Sequence, residues 1–170
     1  MKKIRRRRDM AIFLMGQSEP IPGHELSKKY NVSRQVIVGD IAALRETGYE
    51  IASKHNGYVV TKEPLKKRVF KVRHDSNLTE KELSAIVELD GIVLDVFVQH
   101  KVYGKMSAPL NIYQKEHITA FVEGVSKGRS SELMHITDGY HYHTVAAESD
   151  EILDKIQAKL EEMKMYIAKE

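Results

Sequence analysis

Apolar residues recur at helical spacing between Ser33 and Tyr49, where Ile37, Ile41 and Leu44 fall on one stripe. Ser33 stands before them as an N-cap, its hydroxyl able to accept from a free N–H of the first turn. Gly48 stands where such a helix should stop, because glycine tolerates the left-handed conformation. Arg34, Gln35, Val38 and Gly39 face away from the stripe, near the N-terminal end of the helix. Upstream, the pattern predicts a helix through about Met15 with Ile12, Phe13 and Met15 on its buried face. A breaker-rich loop over 16–22 follows, then a short helix over 23–30 that turns Leu26 inward. Asn31-Val32 makes a tight turn into Ser33. Downstream, two β-prone runs, Tyr49-Glu50-Ile51 and Tyr58-Val59-Val60, flank Asn56-Gly57, a pair suited to a hairpin turn with φ > 0 at both positions. Helix, short turn, helix and hairpin predict a winged helix-turn-helix over residues 1–62.

The second half reads differently. RVFKVRH (68–74) alternates as a strand with Phe70, Val72 and His74 on one face. Thr79-Glu80-Lys81-Glu82 has the form of a capping box, opening a helix that buries Leu83, Ile86 and Leu89 and ends at Gly91. A strand from Ile92 to Tyr103 would share Ile92, Leu94, Val96, Val98 and His100 on one face. After Gly104 a returning strand carries Met106, Ala108, Leu110 and Ile112. Ile118, Phe121, Val122 and Val125 mark a helix closed by Gly128. Asp138-Gly139 turns the chain into YHYHTVAAES, and Ser149 caps a last helix burying Ile152, Ile156, Leu160, Met163 and Ile167. The expected fold is α+β: an N-terminal winged helix-turn-helix, then a two-layer antiparallel-sheet domain of order β-α-β-β-α-β-α, HPr-like. KEPLKKR suggests a linker at 63–68, which leaves 69–170 as the second domain.

Charge divides at the same place. Residues 1–68 carry 15 Lys+Arg against 7 Asp+Glu, a balance of +8, whereas the remainder carries 12 against 17, a balance of −5. A basic first domain and an acidic second fit a DNA-binding head joined to something else, and argue against one enzyme domain. Arg34 and Gln35 are the candidates for base contacts, with Ser33, Val38 and Gly39 beside them on the same helix. Lys54 and His55 of the wing, with Arg5 and Arg6 of the N-terminal run, are candidates for the backbone. Asp40 would be repelled by DNA and is expected to hold a neighbouring arginine instead. The chain has no cysteine, which excludes disulfides and thiolate metal sites and suits the cytoplasm. No apolar run is long enough to span a membrane, and the arginine-rich N-terminus lacks the apolar core of a signal peptide. No glycine-rich phosphate loop, Walker motif or Ser-His-Asp spacing is present.

Any metal must therefore use imidazole and carboxylate. His141 and His143 stand two apart on one predicted strand, so both rings project from one face and can clamp one ion, with Zn, Ni, Fe and Cu as suitable metals. His74 can supply a third ligand and Glu82 a carboxylate. Against this, His-X-His also occurs on solvated strands, and Glu82 is already accounted for as the reciprocal partner of a capping box.

Two resemblances sharpen the reading. VSRQVIVGDIAALRETGY with the Asn56-Gly57 wing resembles the winged helix-turn-helix of biotin-repressor-type regulators, with Gly39 where such helices often carry a basic residue. RVFKVRHDSNLTEKEL, VFVQHKVYGKMSAPLNIY and DGYHYHTVAAES resemble segments of the bacterial three-histidine domain. Joined in this order, the two are similar to the niacin-responsive transcriptional repressors of NAD biosynthesis and uptake genes. The second domain is expected to form a homodimer on double-stranded operator DNA, and the resemblance implies nicotinic acid as corepressor. It implies a divalent transition metal, nickel or zinc with iron as a further option, on His74, Glu82, His141 and His143. His100 and Tyr103 would belong to the effector pocket, and His135 matches no ligand position. A metal-responsive regulator without organic effector and a His/Glu metalloenzyme are the alternatives.

Overall fold

Helix α3 (Arg34–Glu46) sits between two shorter-range devices that the sequence encodes directly. The Ser33 hydroxyl accepts from the Val36 N–H at its start. At its end Gly48, with φ at +97°, lets Gly48 N–H reach Arg45 O and Tyr49 N–H reach Leu44 O, the paired bonds of a glycine-closed helix. The structure is a computed structural model describing residues 2–127 and 131–168. It divides into two compact units, Met1–Pro64 and Leu65–Glu170.

In the first unit α1 (Lys3–Met15), α2 (Gly23–Tyr30) and α3 enclose a core of Met10, Leu14, Leu26, Ile37, Ile41 and Leu44. Phe13 and Met15, expected inside, are only half-buried; Met10, Ala11 and Leu14 join Ile12 on the buried face. The basic run is part of α1 rather than a loose arm, and Met1 lies outside the described residues. The wing is β1 (Glu50–Lys54) paired with β2 (Gly57–Lys62). Its turn differs from expectation: Lys54 pairs with Gly57, so His55 and Asn56 are the turn residues and neither has a positive φ. Gly57, at φ +144°, answers another constraint. Ile21 bridges to Tyr58 through two backbone bonds, and a Cβ on Gly57 would lie 2.2 Å from Ile21 O.

The second unit is a four-stranded antiparallel sheet, order β3-β6-β4-β5, with helices packed on one face. Its elements are β3 (Lys66–Arg73), α4 (Thr79–Glu88), β4 (Ile92–His100), β5 (Gly104–Ile112), α5 (Lys115–Ser126), β6 (Tyr140–Ala147) and α6 (Asp150–Glu162). Phe70, Val72, Val93 and Val145 of the sheet meet Leu83, Ile86, Leu153 and Ile156 of the helices. This is the expected two-layer α+β order, with corrections. β3 begins at Lys66, paired with Ala147, so Lys66–Arg68 are strand rather than linker. A bulge between Val93 and Asp95 breaks the expected single face of β4: Ile92 pairs with Ala146 while Val93 pairs with Val145 and Val96 with His143. α4 carries no capping box: its N-cap is Leu78, without a side-chain bond, and Thr79 is already helical at φ −56°, ψ −47°. Its end is set by Asp90 at φ +63°, while Gly91 packs too close to Ile86 and Ile156 for a Cβ. α6 is capped by Ser149 as expected, its hydroxyl accepting from the Ile152 N–H, but stops at Glu162. Lys164 turns at φ +58°, and Tyr166 and Ile167 run beside β3 instead of on the helix, covering that strand's free edge. The expected stop at Gly128 lies outside the described residues.

Candidate metal centre and nucleic-acid interface

The outward face of α3 is built as the stripe demands. With Ile37, Ile41 and Leu44 buried, Ser33, Arg34, Gln35, Val38 and Gly39 are exposed, Val38 to 51%. Lys54 and His55 are exposed at the wing tip, and Arg5 is exposed on α1. Arg6 is placed differently, its side chain only 11% exposed and its Nε donating to Asp40 at 2.6 Å. Arg7 Nε donates to the other Asp40 oxygen at 2.9 Å. Burial alone would raise the Asp40 carboxyl; the two guanidiniums outweigh it and hold the group below its usual range. Arg45, which sequence reasoning did not single out, joins the end of α3 to the wing: its guanidinium donates to Ile51 O and Ser53 Oγ.

In the second unit the sheet converges three imidazoles. His141 and His143 project from the helix-facing side of β6, opposite Val72 and Phe70. His74 follows the last residue of β3, and Glu82 looks out from the first turn of α4. All four are buried, Glu82 to within 1%. Glu82 Oε2 lies 2.8 Å from His74 Nε2 and 3.4 Å from both His141 Nε2 and His143 Nε2. Behind each ring, Nδ1–H donates to a backbone carbonyl: His74 to Asp75 at 2.7 Å, His141 to Gly139 at 2.9 Å, His143 to Asp95 at 2.8 Å. Those carbonyls fix the tautomer that leaves Nε2 a lone pair, the second layer expected around metal-bound histidines.

Electrostatics favour a cation in the middle. Burial opposes the Glu82 charge, and the three histidines outweigh it, holding the carboxyl well below its usual range. Burial likewise opposes charge on His74 and His143, and Glu82 outweighs it, raising both above the ordinary imidazole value. Protonating every ring would bury surplus positive charge. Leaving every ring neutral would point lone pairs at a carboxylate. A divalent ion removes both costs, and three imidazoles with one carboxylate suit a first-row transition metal. The atoms of His74, Glu82 and His141 lie within 4.8 Å of one another, close enough to share one ion. Glu82 Oε1 is buried and has no hydrogen-bond partner among the described residues. Glu82, His141 and His143 line a cavity of about 30 Å³ with Thr79, Val96 and Phe121. His74 also lines a separate open cleft of about 600 Å³ with Arg73, Ser76, His135 and Lys164.

Residues 67–169 match the 3H domain and residues 6–59 match an HTH domain. The chain is 34% identical over 164 residues to the probable transcription repressor NiaR of Thermotoga maritima, covering 94% of this chain and 93% of that protein. It is 32% identical over 167 residues to the transcription repressor NadR of Bacillus subtilis, covering 95% and 93%. The chain belongs to the NiaR/NadR repressor family.

As a member of that family it is a DNA-binding transcription repressor and not an enzyme, and the metalloenzyme alternative falls away. Among the described residues no helix is long and apolar enough to cross a membrane. The repressor's His100 and Tyr103 are not brought to the histidine cluster. His100 Nδ1 accepts from the Val102 and Tyr103 N–H groups, its ring stacks on Tyr103 at 4.9 Å, and the pair secures the β4–β5 turn. Tyr103 is 73% exposed, and His100 lines a separate open cleft with Tyr140 and Tyr142. His135, outside the expected ligand set, pairs with Ser76 at 2.6 Å in the cleft beside His74.

Proposed function

We propose that the chain represses NAD biosynthesis or niacin uptake genes in the cytoplasm, with nicotinic acid as corepressor acting through a divalent metal in the second unit. His74, Glu82, His141 and His143 hold the metal, nickel or zinc first and iron next. The observation that carries this is the set of three Nδ1–H bonds to backbone carbonyls, which turns every Nε2 toward one buried carboxylate oxygen. A purely structural cluster has no need to fix three tautomers alike.

The effector's nine heavy atoms need several times the ~30 Å³ that one water occupies in the liquid. That exceeds the cavity lined by Glu82, His141 and His143, while the open cleft beside His74 is lined by none of those three and its Arg73 is already paired with Asp138. Nicotinate would offer its ring nitrogen or carboxylate to the metal that His74, Glu82, His141 and His143 would hold. For regulation it must favour the DNA-binding arrangement of a homodimer over others. Two recognition helices then enter successive major grooves about 34–36 Å apart. Arg34 and Gln35 read base edges, with Val38 and Gly39 against the groove floor, and Ser33, Lys54, His55 and Arg5 follow the backbone. Calorimetry with metal-loaded protein tests the pocket: nicotinate binds wild type and is lost in His141→Ala and His143→Ala. Unchanged nicotinate affinity in both variants would refute it. Titrating operator affinity with metal and with nicotinate separately distinguishes corepression from a direct response to metal.

A further inference from the structure

Asp40 is a buried carboxylate on the helix that meets DNA, where a negative charge both loses hydration and repels phosphate. At 100° per residue it lies about 60° around α3 from Ile37. That puts it on the flank between the buried stripe and the exposed face of Gln35, Gly39 and Ala42. Arg6 and Arg7 of α1 reach this flank, and each spends only its Nε on Asp40, at 2.6 and 2.9 Å. Among the described residues the Nη groups of both have no partner, and none of these nitrogens is sealed from solvent. Arg7's side chain is 27% exposed and Arg6's 11%. Asp40 thus holds two guanidinium forks side by side along one long edge of α3, with net charge +1 and their outer N–H groups unspent. A helix lying in the major groove has a phosphate backbone along each edge, and a guanidinium fork matches a phosphate's two oxygens.

We propose that Arg6 and Arg7, set in position by Asp40, form a clamp for phosphodiester groups of the DNA backbone beside the recognition helix. The clamp rests on the reading of the first unit as a duplex-binding head. Asp40 is its positioning residue and touches no DNA itself. The two roles of the pair are compatible because Asp40 engages only Nε, leaving the Nη groups without a protein hydrogen bond among the described residues and not sealed from solvent.

Charge alone and positioning predict opposite signs for Asp40→Asn. Removing a negative charge beside DNA should tighten binding if only the field matters. If Asp40 sets the clamp, binding weakens although the protein has become more basic. The test is fluorescence anisotropy of the full chain, with nickel and nicotinate present throughout, on a duplex selected under the same conditions from a random-sequence library by the wild-type protein, between 50 and 300 mM KCl. Asp40→Asn should bind about tenfold more weakly at 100 mM, and the slope of log affinity against log salt should fall by about 1–2 per protomer. Arg7→Lys keeps the charge but not the fork, and should lose affinity with a slope reduced by up to about 1. Circular dichroism melts verify that both variants fold; if Asp40→Asn does not, Arg7→Lys decides alone. Equal or tighter binding with an unchanged slope, in whichever folded variant is measured, overturns the clamp. If the wild type selects no duplex, the DNA-binding reading fails first and the clamp with it.

Discussion

Raising the pH should make the second unit more responsive to metal and, in the metal-free protein, less stable. Both effects arise from the imidazoles around Glu82. Without metal, His74 and His143 have raised pKa values in the fold, so their contribution is complete below the ordinary imidazole value of about 6.5. It is lost as pH rises through the raised values. Glu82 is depressed, so its contribution is complete above the ordinary carboxylate range and disappears only as pH falls through its lowered value. Metal-free stability should therefore decline from about pH 6.5 upward. Metal requires neutral rings, so each displaced proton raises affinity tenfold per pH unit, roughly 1.4 kcal/mol, until pH passes that group's pKa. With two such histidines the gain approaches ~2.8 kcal/mol per unit. In a domain of about 100 residues that is a further midpoint shift on the order of 10 °C. Chelator-stripped protein, scanned by differential scanning fluorimetry from pH 5.5 to 8.5 with and without nickel or zinc, gives both curves. Glu82→Gln keeps the side-chain shape and removes the charge, so it should flatten the metal-free decline and shrink the metal-induced shift. A metal shift independent of pH, or equal in Glu82→Gln, would refute the assignment of these side chains.

Two further outcomes follow from single contacts in the first unit. Arg45→Ala removes the bonds to Ile51 O and Ser53 Oγ that tie the wing to α3; operator affinity should fall about tenfold with stability reduced by only ~1–2 kcal/mol, read by anisotropy beside a urea titration. Gly57→Ala places a methyl 2.2 Å from Ile21 O at a φ of +144°; it should cost about 2–4 kcal/mol, seen as a lower urea midpoint at unchanged slope.

What could be read from the sequence was whatever a few neighbouring residues decide among themselves. Ser33, the apolar stripe and Gly48 specify α3 with no help from the rest of the chain, and Tyr140–Ala147 alternates clearly enough to put His141 and His143 on one face. The errors come from decisions taken across the fold. Thr79 and Glu82 have the spacing of a capping box, but three histidines from two strands compete for the carboxylate and win it, because a buried charge gains more from them than from an N–H at the helix start. The bulge at β4 follows from pairing with both β5 and β6, and no residue in the strand announces it. Asn56-Gly57 looks like a turn pair, yet the glycine is required by Ile21, 36 positions upstream. His100 and Tyr103, inside a segment that resembles the three-histidine domain, are held together by their own hairpin and away from the cluster.

Asp40 and Glu82 solve the same problem with different cations, and the difference sorts their roles. Each is a carboxylate about 1% exposed, kept ionised by positive partners that offset its burial. Asp40 faces arginines, which stay protonated at any pH the protein meets, so its contacts are fixed and can only hold a shape. Glu82 faces imidazoles, whose charge is lost as pH rises through their raised values and whose lone pairs would then be free for the proposed metal, so its contacts can be exchanged. A repressor needs a rigid reader and a changeable control. On these grounds sensitivity to pH belongs to the carboxylate of the second unit, whose imidazole partners can lose their charge, and not to that of the first.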